Sequence, residues 1–237
     1  MNAALTSADV ISTLMRSSMP TVLTEGSDDY RVMRRIESKL SDIGIDFLPV
    51  GGKRKVLDAW NGLSSDRKKT VLPMVDLDLW VFSGIPADLH SHDFIYTIGY
   101  SIENDIFIDA NLLNMCDAQE RAEFVIELEH IAAWYAYEIQ KALRGQPFEV
   151  NRHPTEILGL PNMIGDLDDQ GRELRLIIIG NYIQLLRGKI LIQLLSRQLN
   201  KIGRSVKFSY KQLYEIASFV SGPLLSNVEN RIRFHFK

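Results

Sequence analysis

The amino-acid sequence predicts an α/β protein in which an open, mostly parallel sheet flanked by helices is followed by a predominantly helical C-terminal part. Three observations lead to this prediction. Short β-prone runs alternate with helical patterns across residues 20–112, as in sheets built from strand–helix–strand units. Apolar residues then recur at helical spacing through much of residues 113–237. Finally, 237 residues suffice for one large domain or for a core with a smaller appended part.

The N-terminal half supplies a leading helix and four strands that alternate with helices. Residues 1–19 contain Ser7-Ala8-Asp9, a typical helix start, so we expect a leading helix there. The helix after the first strand is expected to reach Leu40, with Ser27 or Asp28 as its N-cap, and the next helix starts at Lys53. The predicted strands occupy residues 21–24, 45–50, 70–75 and 94–98.

The C-terminal half is predicted to be mainly helical. A long helix is expected over Ala118–Leu143, and residues 148–172 are expected to be irregular because Gly, Pro and Asp cluster there. Further helices are expected over residues 173–184, 189–199 and 210–220. The last seven residues, 231–237, alternate basic and apolar side chains, which favours a short edge strand or a tail.

The composition limits the possible environment and partners of the protein. The net charge is −3 and the sequence pI is about 6.0, so any surface that contacts phosphate must be a local basic patch. The lone cysteine, Cys116, cannot form an internal disulfide, which fits a reducing compartment. The N-terminus does not look like a signal peptide, and the apolar stretches are too short for a bilayer. We therefore expect a cytoplasmic protein that does not associate with a membrane.

Three carboxylates follow predicted strands. Glu25 comes directly after the first strand, and Asp76 and Asp78 follow the third. Ligands of parallel α/β sheets bind outside the carboxyl ends of the strands, so these acids are expected at one edge of the sheet. Residues i and i+2 of a strand point to the same face, which would let Asp76 and Asp78 hold one hard cation. Mg²⁺ prefers a few carboxylates together with phosphate and water, and a cation would relieve repulsion between the acids.

Each acidic motif also has a simpler interpretation. Glu25-Gly26 followed by Asp28-Asp29 fits a turn and a helix N-cap, and Asp76-Leu77-Asp78 fits a solvated strand end. The combination favours a metal site because each acid follows a short apolar strand and helical crossovers separate the two motifs.

The motifs around these acids resemble a known family. Residues 22–29 and 75–78 are similar to the TOPRIM domain shared by topoisomerases, primases and OLD-family nucleases. Three further elements resemble the TOPRIM-like subfamily of the nuclease effector of the PARIS anti-phage system, whose members accompany ABC-type or AAA-type ATPases. These elements are residues 49–53, 100–105 and 188–191. The resemblance covers residues 20–110 well and residues 185–200 thinly.

The resemblance implies a role for each acid. Glu25 would act as general acid or base and contribute to the metal site, and Asp76 and Asp78 would be catalytic metal ligands for Mg²⁺ or Mn²⁺. Glu103 would complete the metal site or orient a ligand; the simpler reading of Glu103 is an acid favoured at a helix N-terminus.

Local basic residues are the candidates for nucleic-acid binding. They are Lys53, Arg54 and Lys55 after the Gly-Gly turn and Lys189 at the start of a late helix, although short basic runs are often simply solvated. A second cluster lies at residues 67–69. The late basic stretch of Arg187, Lys189, Arg197, Lys201 and Arg204 would line a nucleic-acid groove or face an acidic partner.

The sequence thus favours a Mg²⁺-dependent nuclease that acts on RNA, such as tRNA, or on DNA. The resemblance implies an effector of a defence system, with an ATPase partner and possibly a homodimer. The alternative is a non-catalytic TOPRIM-like binding module that regulates an ABC-type or AAA-type ATPase. Primase-like nucleotidyl transfer ranks last, because the sequence shows no primase zinc module.

Overall fold

The computed structural model describes residues 6–26, 30–90 and 93–237. The predicted α/β class is confirmed: four parallel strands form a sheet flanked by helices, and the C-terminal part is helical. The predicted N-cap at Ser27 or Asp28 lies outside the described residues. The strands are β1 (Thr21–Thr24), β2 (Asp46–Pro49), β3 (Val71–Val75) and β4 (Ile95–Tyr96).

The α-helices of the described residues follow the predicted alternation and then dominate the second half. In chain order they are α1 (Ser7–Arg16), α2 (Tyr30–Lys39), α3 (Lys53–Asn61), α4 (Ser65–Lys68), α5 (Trp80–Ser83), α6 (Ile102–Asp109), α7 (Ala118–Leu143), α8 (Pro154–Leu158), α9 (Asp169–Gly180), α10 (Tyr182–Leu185), α11 (Gly188–Gln198), α12 (Tyr210–Ser218) and α13 (Pro223–His235).

The chain divides into two compact units. The sheet unit comprises Met1–Leu77, Ile85–Thr97 and Ser221–Lys237, and the helical unit comprises Asp78–Gly84 and Ile98–Val220. This division differs from the predicted boundary at residue 112. The reason is that α6 already packs against α11 and α12, whereas α13 is tied by hydrogen bonds to earlier parts of the sheet unit.

The sheet has the strand order β2-β1-β3-β4, and all of its pairs are parallel. Leu23 of β1 lies opposite Leu48 of β2 and Pro73 of β3. All four residues of β1 and all five of β3 are buried, as expected for central strands covered on both faces. The position of every predicted strand is confirmed, although β4 is only two residues long.

The helical unit is centred on α7, which begins and ends at the predicted residues. Asp117 caps its N-terminus, and the Glu120 side chain accepts the Asp117 N–H in return. Buried Leu128, Ile131 and Tyr135 lie along α7 at spacings of three and four residues, which places them on one face. The helix packs against α8, α9 and α11.

The C-terminal prediction was wrong. Residues 231–237 were expected to form an edge strand or a tail, but most of them belong to α13. Buried Leu225, Val228 and Ile232 recur at spacings of three and four residues, as on one face of a helix. This helical period begins before the alternating residues, and the chain folds as a helix through most of them. The helix is joined to the rest of the sheet unit by ion pairs of Lys39 with Glu229 and of Arg233 with Asp42.

The segment 148–172 is also more regular than predicted. It contains α8, with His153 as N-cap and Pro154 at its first position, and the first turn of α9, capped by Asp168. Among all helices of the described ranges, none combines the length and the apolar character needed to cross a membrane.

Candidate active site at the carboxyl edge of the sheet

Glu25 and Asp76 come together because their strands are neighbours. Each residue directly follows its strand, and β1 and β3 pair in parallel. The backbone N–H of Asp76 donates to Oε1 of Glu25 over 2.9 Å. The expectation that the first and third strands run side by side is therefore confirmed. A carboxylate oriented by a backbone amide lies at the sheet edge where parallel α/β proteins bind ligands.

The turn Gly51-Gly52 fastens this edge from the β2 side. The N–H groups of Gly51 and Gly52 both donate to the carbonyl oxygen of Glu25, over 2.8 and 2.7 Å. Their φ angles are 92° and 120°, a backbone region that residues with a side chain rarely adopt. Two glycines at this turn therefore let two successive amides reach one carbonyl.

Both backbone polar groups of Leu77 are hydrogen-bonded. Its N–H donates to Oγ1 of Thr97 over 3.0 Å, and its carbonyl accepts a hydrogen bond from Nζ of Lys53 over 3.2 Å. Lys53 is the first residue of α3 and follows the Gly-Gly turn directly. The segment after β3 is thus fixed at three backbone polar groups: the Asp76 N–H, the Leu77 N–H and the Leu77 carbonyl.

The expected strand geometry of Asp78 was wrong. The strand ends at Val75, and Asp78 lies beyond it with a φ of 49°, in the left-handed region. Side-chain alternation holds only for extended backbone, so it does not place Asp76 and Asp78 on one face. Asp78 belongs to the helical unit, where its N–H donates to the Tyr100 carbonyl over 2.7 Å.

Glu103 lies in the helical unit, on the first turn of α6, and is 6% exposed. The hydroxyl of Tyr210 donates to Oε1 of Glu103 over 3.5 Å. Gly188, which opens α11, packs closely on this helix: a Cβ atom at Gly188 would stand 2.5 Å from Cβ of Glu103. The elements at residues 100–105 and 188–191, which the sequence motifs identified separately, are therefore in contact through Gly188.

Asn104 is the hub of this contact. It is fully buried, and its Oδ1 accepts the backbone N–H of Ser101 over 3.0 Å and the Ser101 hydroxyl over 3.1 Å. Its Nδ2 donates to the carbonyls of Ile183 and Leu186, over 2.6 and 2.8 Å. The side chain thus joins the start of α6 to the segment that leads into α11.

Asp105 is a buried acid that the sequence analysis did not single out. Its carboxylate accepts the backbone N–H groups of Ile98 and Gly99, at distances between 2.9 and 3.2 Å. Burial raises the pKa of Asp105 to about 6, in spite of these two donors. Its sequence signal was weak, because an acid in the first turn of a helix is usually explained by the helix dipole.

The predicted basic residues have different surroundings. Lys53, Arg54 and Lys55 lie in the sheet unit and contribute to the lining of a cavity of about 620 Å³ beside the Gly-Gly turn. Arg54 is highly exposed, at 94% of its side chain, and its ion pair with Asp58 is long, 3.9 Å. Lys189 lies in the helical unit, at the second position of α11.

The remaining basic clusters have partners within the chain. Arg197, Lys201 and Arg204 form ion pairs with three acids of α7, namely Glu127, Glu123 and Glu120. These three residues of the late basic stretch thus have acidic partners on α7 within the chain. In the second cluster, Arg67 donates to the carbonyls of Met15 and Ser17, Lys68 lies over the Trp60 ring and Lys69 pairs with Asp66.

The oxygen ligands at the sheet edge suit a hard cation. Glu25 and Asp76 are both partly accessible, and Mg²⁺ is commonly held by one or two carboxylates with water and substrate phosphate completing the shell. Within the part of the chain that the structure describes, no cluster of three or more His, Cys, Asp or Glu side chains could hold a metal ion.

Comparison with known proteins adds no family to these observations. No protein-family model matches the chain, and no curated protein matches it in sequence.

Proposed function

We propose that this protein is a cytoplasmic, Mg²⁺-dependent nuclease of TOPRIM type that hydrolyses phosphodiester bonds in RNA, such as tRNA, or in DNA. The observation that supports it best is the hydrogen bond between Glu25 and the Asp76 amide at the carboxyl edge of two adjacent parallel strands. Ligands of parallel α/β sheets bind at this edge. The resemblance in the acidic motifs supplies the reaction class.

The donor set supports magnesium as the cofactor, with manganese as a substitute. Glu25 and Asp76, which follow neighbouring strands, are the proposed ligands that the geometry supports. Asp78 is a proposed ligand, and Glu103 a further proposed ligand or orienting acid, on the resemblance alone. When bound, the ion supplies charge neutralisation at the scissile phosphate and at the leaving oxygen. Asp76 lies at the end of a fully buried strand, so its main chain offers a rigid support for a ligand.

Glu25 is the proposed general acid or base. Oε1 is oriented by the Asp76 amide, and the carboxylate would hold or accept the proton of the attacking water. Lys53, Arg54, Lys55 and Lys189 are the proposed contacts to the nucleic-acid backbone. Because the whole chain is acidic, with a net charge of −3, such local contacts would provide the electrostatic attraction to phosphate.

The biological setting is proposed from the resemblance. The nuclease would be the effector of an anti-phage system and would work with an ABC-type or AAA-type ATPase, as a monomer or a homodimer. A non-catalytic TOPRIM-like module that regulates the ATPase is the alternative outcome of the test below.

The test combines metal binding with cleavage. Purified wild-type protein, Glu25→Gln, Asp76→Asn and the control Asp66→Asn are titrated with Mn²⁺ by calorimetry and incubated with Mg²⁺ and total RNA or plasmid, with and without the ATPase partner. Asp66 is a suitable control because its side chain is 91% exposed on α4. We expect Mn²⁺ binding and cleavage in wild type and control, loss of cleavage in Glu25→Gln and weakened Mn²⁺ binding in Asp76→Asn. Mn²⁺ binding by none of the proteins would contradict the proposal.

A further inference from the structure

We infer that Lys53 is a positioning residue: it holds the segment after β3 in place, so that Asp76 stays aligned with Glu25. This inference rests on the proposed function but goes beyond it, because it assigns Lys53 a role in metal-site geometry in addition to phosphate contact. Its basis is the hydrogen bond from Nζ of Lys53 to the Leu77 carbonyl, 3.2 Å long.

Lys53 stands at a point where two strand ends are fastened. Immediately before it, Gly51 and Gly52 donate to the carbonyl of Glu25 over 2.8 and 2.7 Å. Lys53 itself donates to the carbonyl of Leu77, the residue after Asp76. One turn of the chain therefore binds the main chain at the end of β1 and at the end of β3.

The alternative anchors of this segment do not replace the lysine. The Leu77 N–H is held by Thr97 and the Asp76 N–H by the Glu25 carboxylate. Both of these fix amides, whereas Lys53 fixes the carbonyl. The N–H of the Leu77–Asp78 peptide is also held, by the Tyr100 carbonyl. Loss of the ammonium would therefore leave this peptide restrained at its nitrogen alone, and its oxygen would be free to move.

Lys53 differs from its basic neighbour in this respect. Arg54 is 94% exposed, and its ion pair in the structure is a long one with Asp58 on the same helix. Lys53 is partly buried and contacts another segment, 24 residues away in sequence. We therefore expect removal of the Arg54 charge to weaken nucleic-acid binding and removal of the Lys53 charge to alter the metal site.

The expected effect of removing Lys53 is that of losing a residue that supports a metal ligand. Such residues typically contribute 10–100-fold to metal affinity or activity. For Lys53→Met we expect about a 10-fold loss of Mn²⁺ affinity and at least that loss in kcat. The KM for nucleic acid should rise no more than in Arg54→Met, and Lys53→Arg, which keeps a donor, should recover most of the loss.

The experiment uses the full chain in four variants: Lys53→Met, Lys53→Arg, Arg54→Met and Lys69→Met. Lys69 is the matched lysine control, since it is 76% exposed and pairs with Asp66. Mn²⁺ affinity is measured by calorimetry, and kcat and KM on the nucleic acid that wild type cleaves. Amide hydrogen exchange of a peptide that covers Asp76 and Leu77 is measured without metal, and circular dichroism shows whether each variant folds.

The exchange measurement tests positioning without metal or activity. We expect the Asp76 and Leu77 amides to exchange at least about 5-fold faster in Lys53→Met and at the wild-type rate in Lys69→Met. Unchanged exchange together with unchanged Mn²⁺ affinity in Lys53→Met would overturn the inference. If Lys53→Met fails to fold, Lys53→Arg decides. Wild-type Mn²⁺ affinity and wild-type amide exchange in Lys53→Arg support the inference, because arginine keeps a donor. An effect on KM alone, equal to that of Arg54→Met, overturns it.

Failure of the proposed function has a different signature. If wild type binds no Mn²⁺, or if Asp76→Asn binds it as wild type does, the metal-site proposal fails whatever Lys53 does. The exchange result then still decides whether Lys53 restrains the segment.

Discussion

Replacement of Asn104 by alanine should be among the most destabilising polar substitutions in the helical unit. The side chain is fully buried and makes four hydrogen bonds, of 2.6 to 3.1 Å. Truncation leaves the carbonyls of Ile183 and Leu186 without this donor and the Ser101 amide without this acceptor. Each buried hydrogen bond contributes about 1 kcal/mol, and a buried group left unsatisfied costs about 1–3 kcal/mol. We therefore expect a loss of about 3–5 kcal/mol in the free energy of unfolding.

Urea unfolding measures this loss, with tryptophan fluorescence, to which Trp60, Trp80 and Trp134 contribute, and circular dichroism as two probes of the whole chain. The control is Asn114→Ala, because Oδ1 of Asn114 accepts an exposed hydrogen bond from Arg121; its loss should cost less than about 1 kcal/mol. A loss for Asn104→Ala as small as that of the control would refute the reasoning and would mean that water or a rearranged α6 satisfies the four partners.

Two further predictions concern the same region. Burial raises the pKa of Asp105 to about 6 from an ordinary value of 3.8, so the folded state binds this proton more tightly than the unfolded state. The free energy of unfolding should therefore fall by about 3 kcal/mol as the pH rises from about 4 to about 6. Asp105→Asn should flatten that part of the stability profile, measured by urea unfolding at a series of pH values; an unchanged slope would contradict the raised pKa. Gly188→Ala should cost about 1–3 kcal/mol, because the new Cβ would stand within 2.7 Å of three side-chain atoms. The control Gly180→Ala, with no neighbouring atom within 4 Å of the new Cβ, should be neutral or slightly stabilising; urea unfolding measures both variants.

The elements that the sequence predicted best are those with a strong local signal. The helix Ala118–Leu143 was predicted at its observed ends from its helical pattern and from the break at residues 144–147. The structure adds a capping box formed by Asp117 and Glu120 at its start. The strand Thr21–Thr24 was likewise predicted at its observed residues, since Pro20 precedes it and Glu25-Gly26 ends it. Start and stop signals of this kind can be identified without knowledge of the tertiary structure.

The last helix shows where two local periods compete. Residues 231–237 alternate as a strand would, whereas Leu225, Val228 and Ile232 recur as a helix would. The helical stripe is longer and begins with Pro223, which favours the first position of a helix. The apolar period evaluated from Pro223 onward, instead of from residue 231, predicts the helix. The contacts of Asn104 with Ile183 and Leu186, by contrast, join residues about eighty positions apart, and no periodicity in the sequence predicts them.

The candidate site shows how far a parallel sheet fixes the position of its terminal residues. Glu25 and Asp76 are each the first residue after a strand, and pairing of β1 with β3 suffices to bring the Glu25 carboxylate to the Asp76 amide. Asp78 is the third residue after its strand, and its left-handed φ of 49° and its bond to Tyr100 are set by the loop. The pattern of an acid pair at i and i+2 predicts a shared face only while the backbone stays extended. For acids beyond the strand end, the residues that hold the loop, here Lys53 and Thr97 on either side of Leu77, determine where a carboxylate can reach.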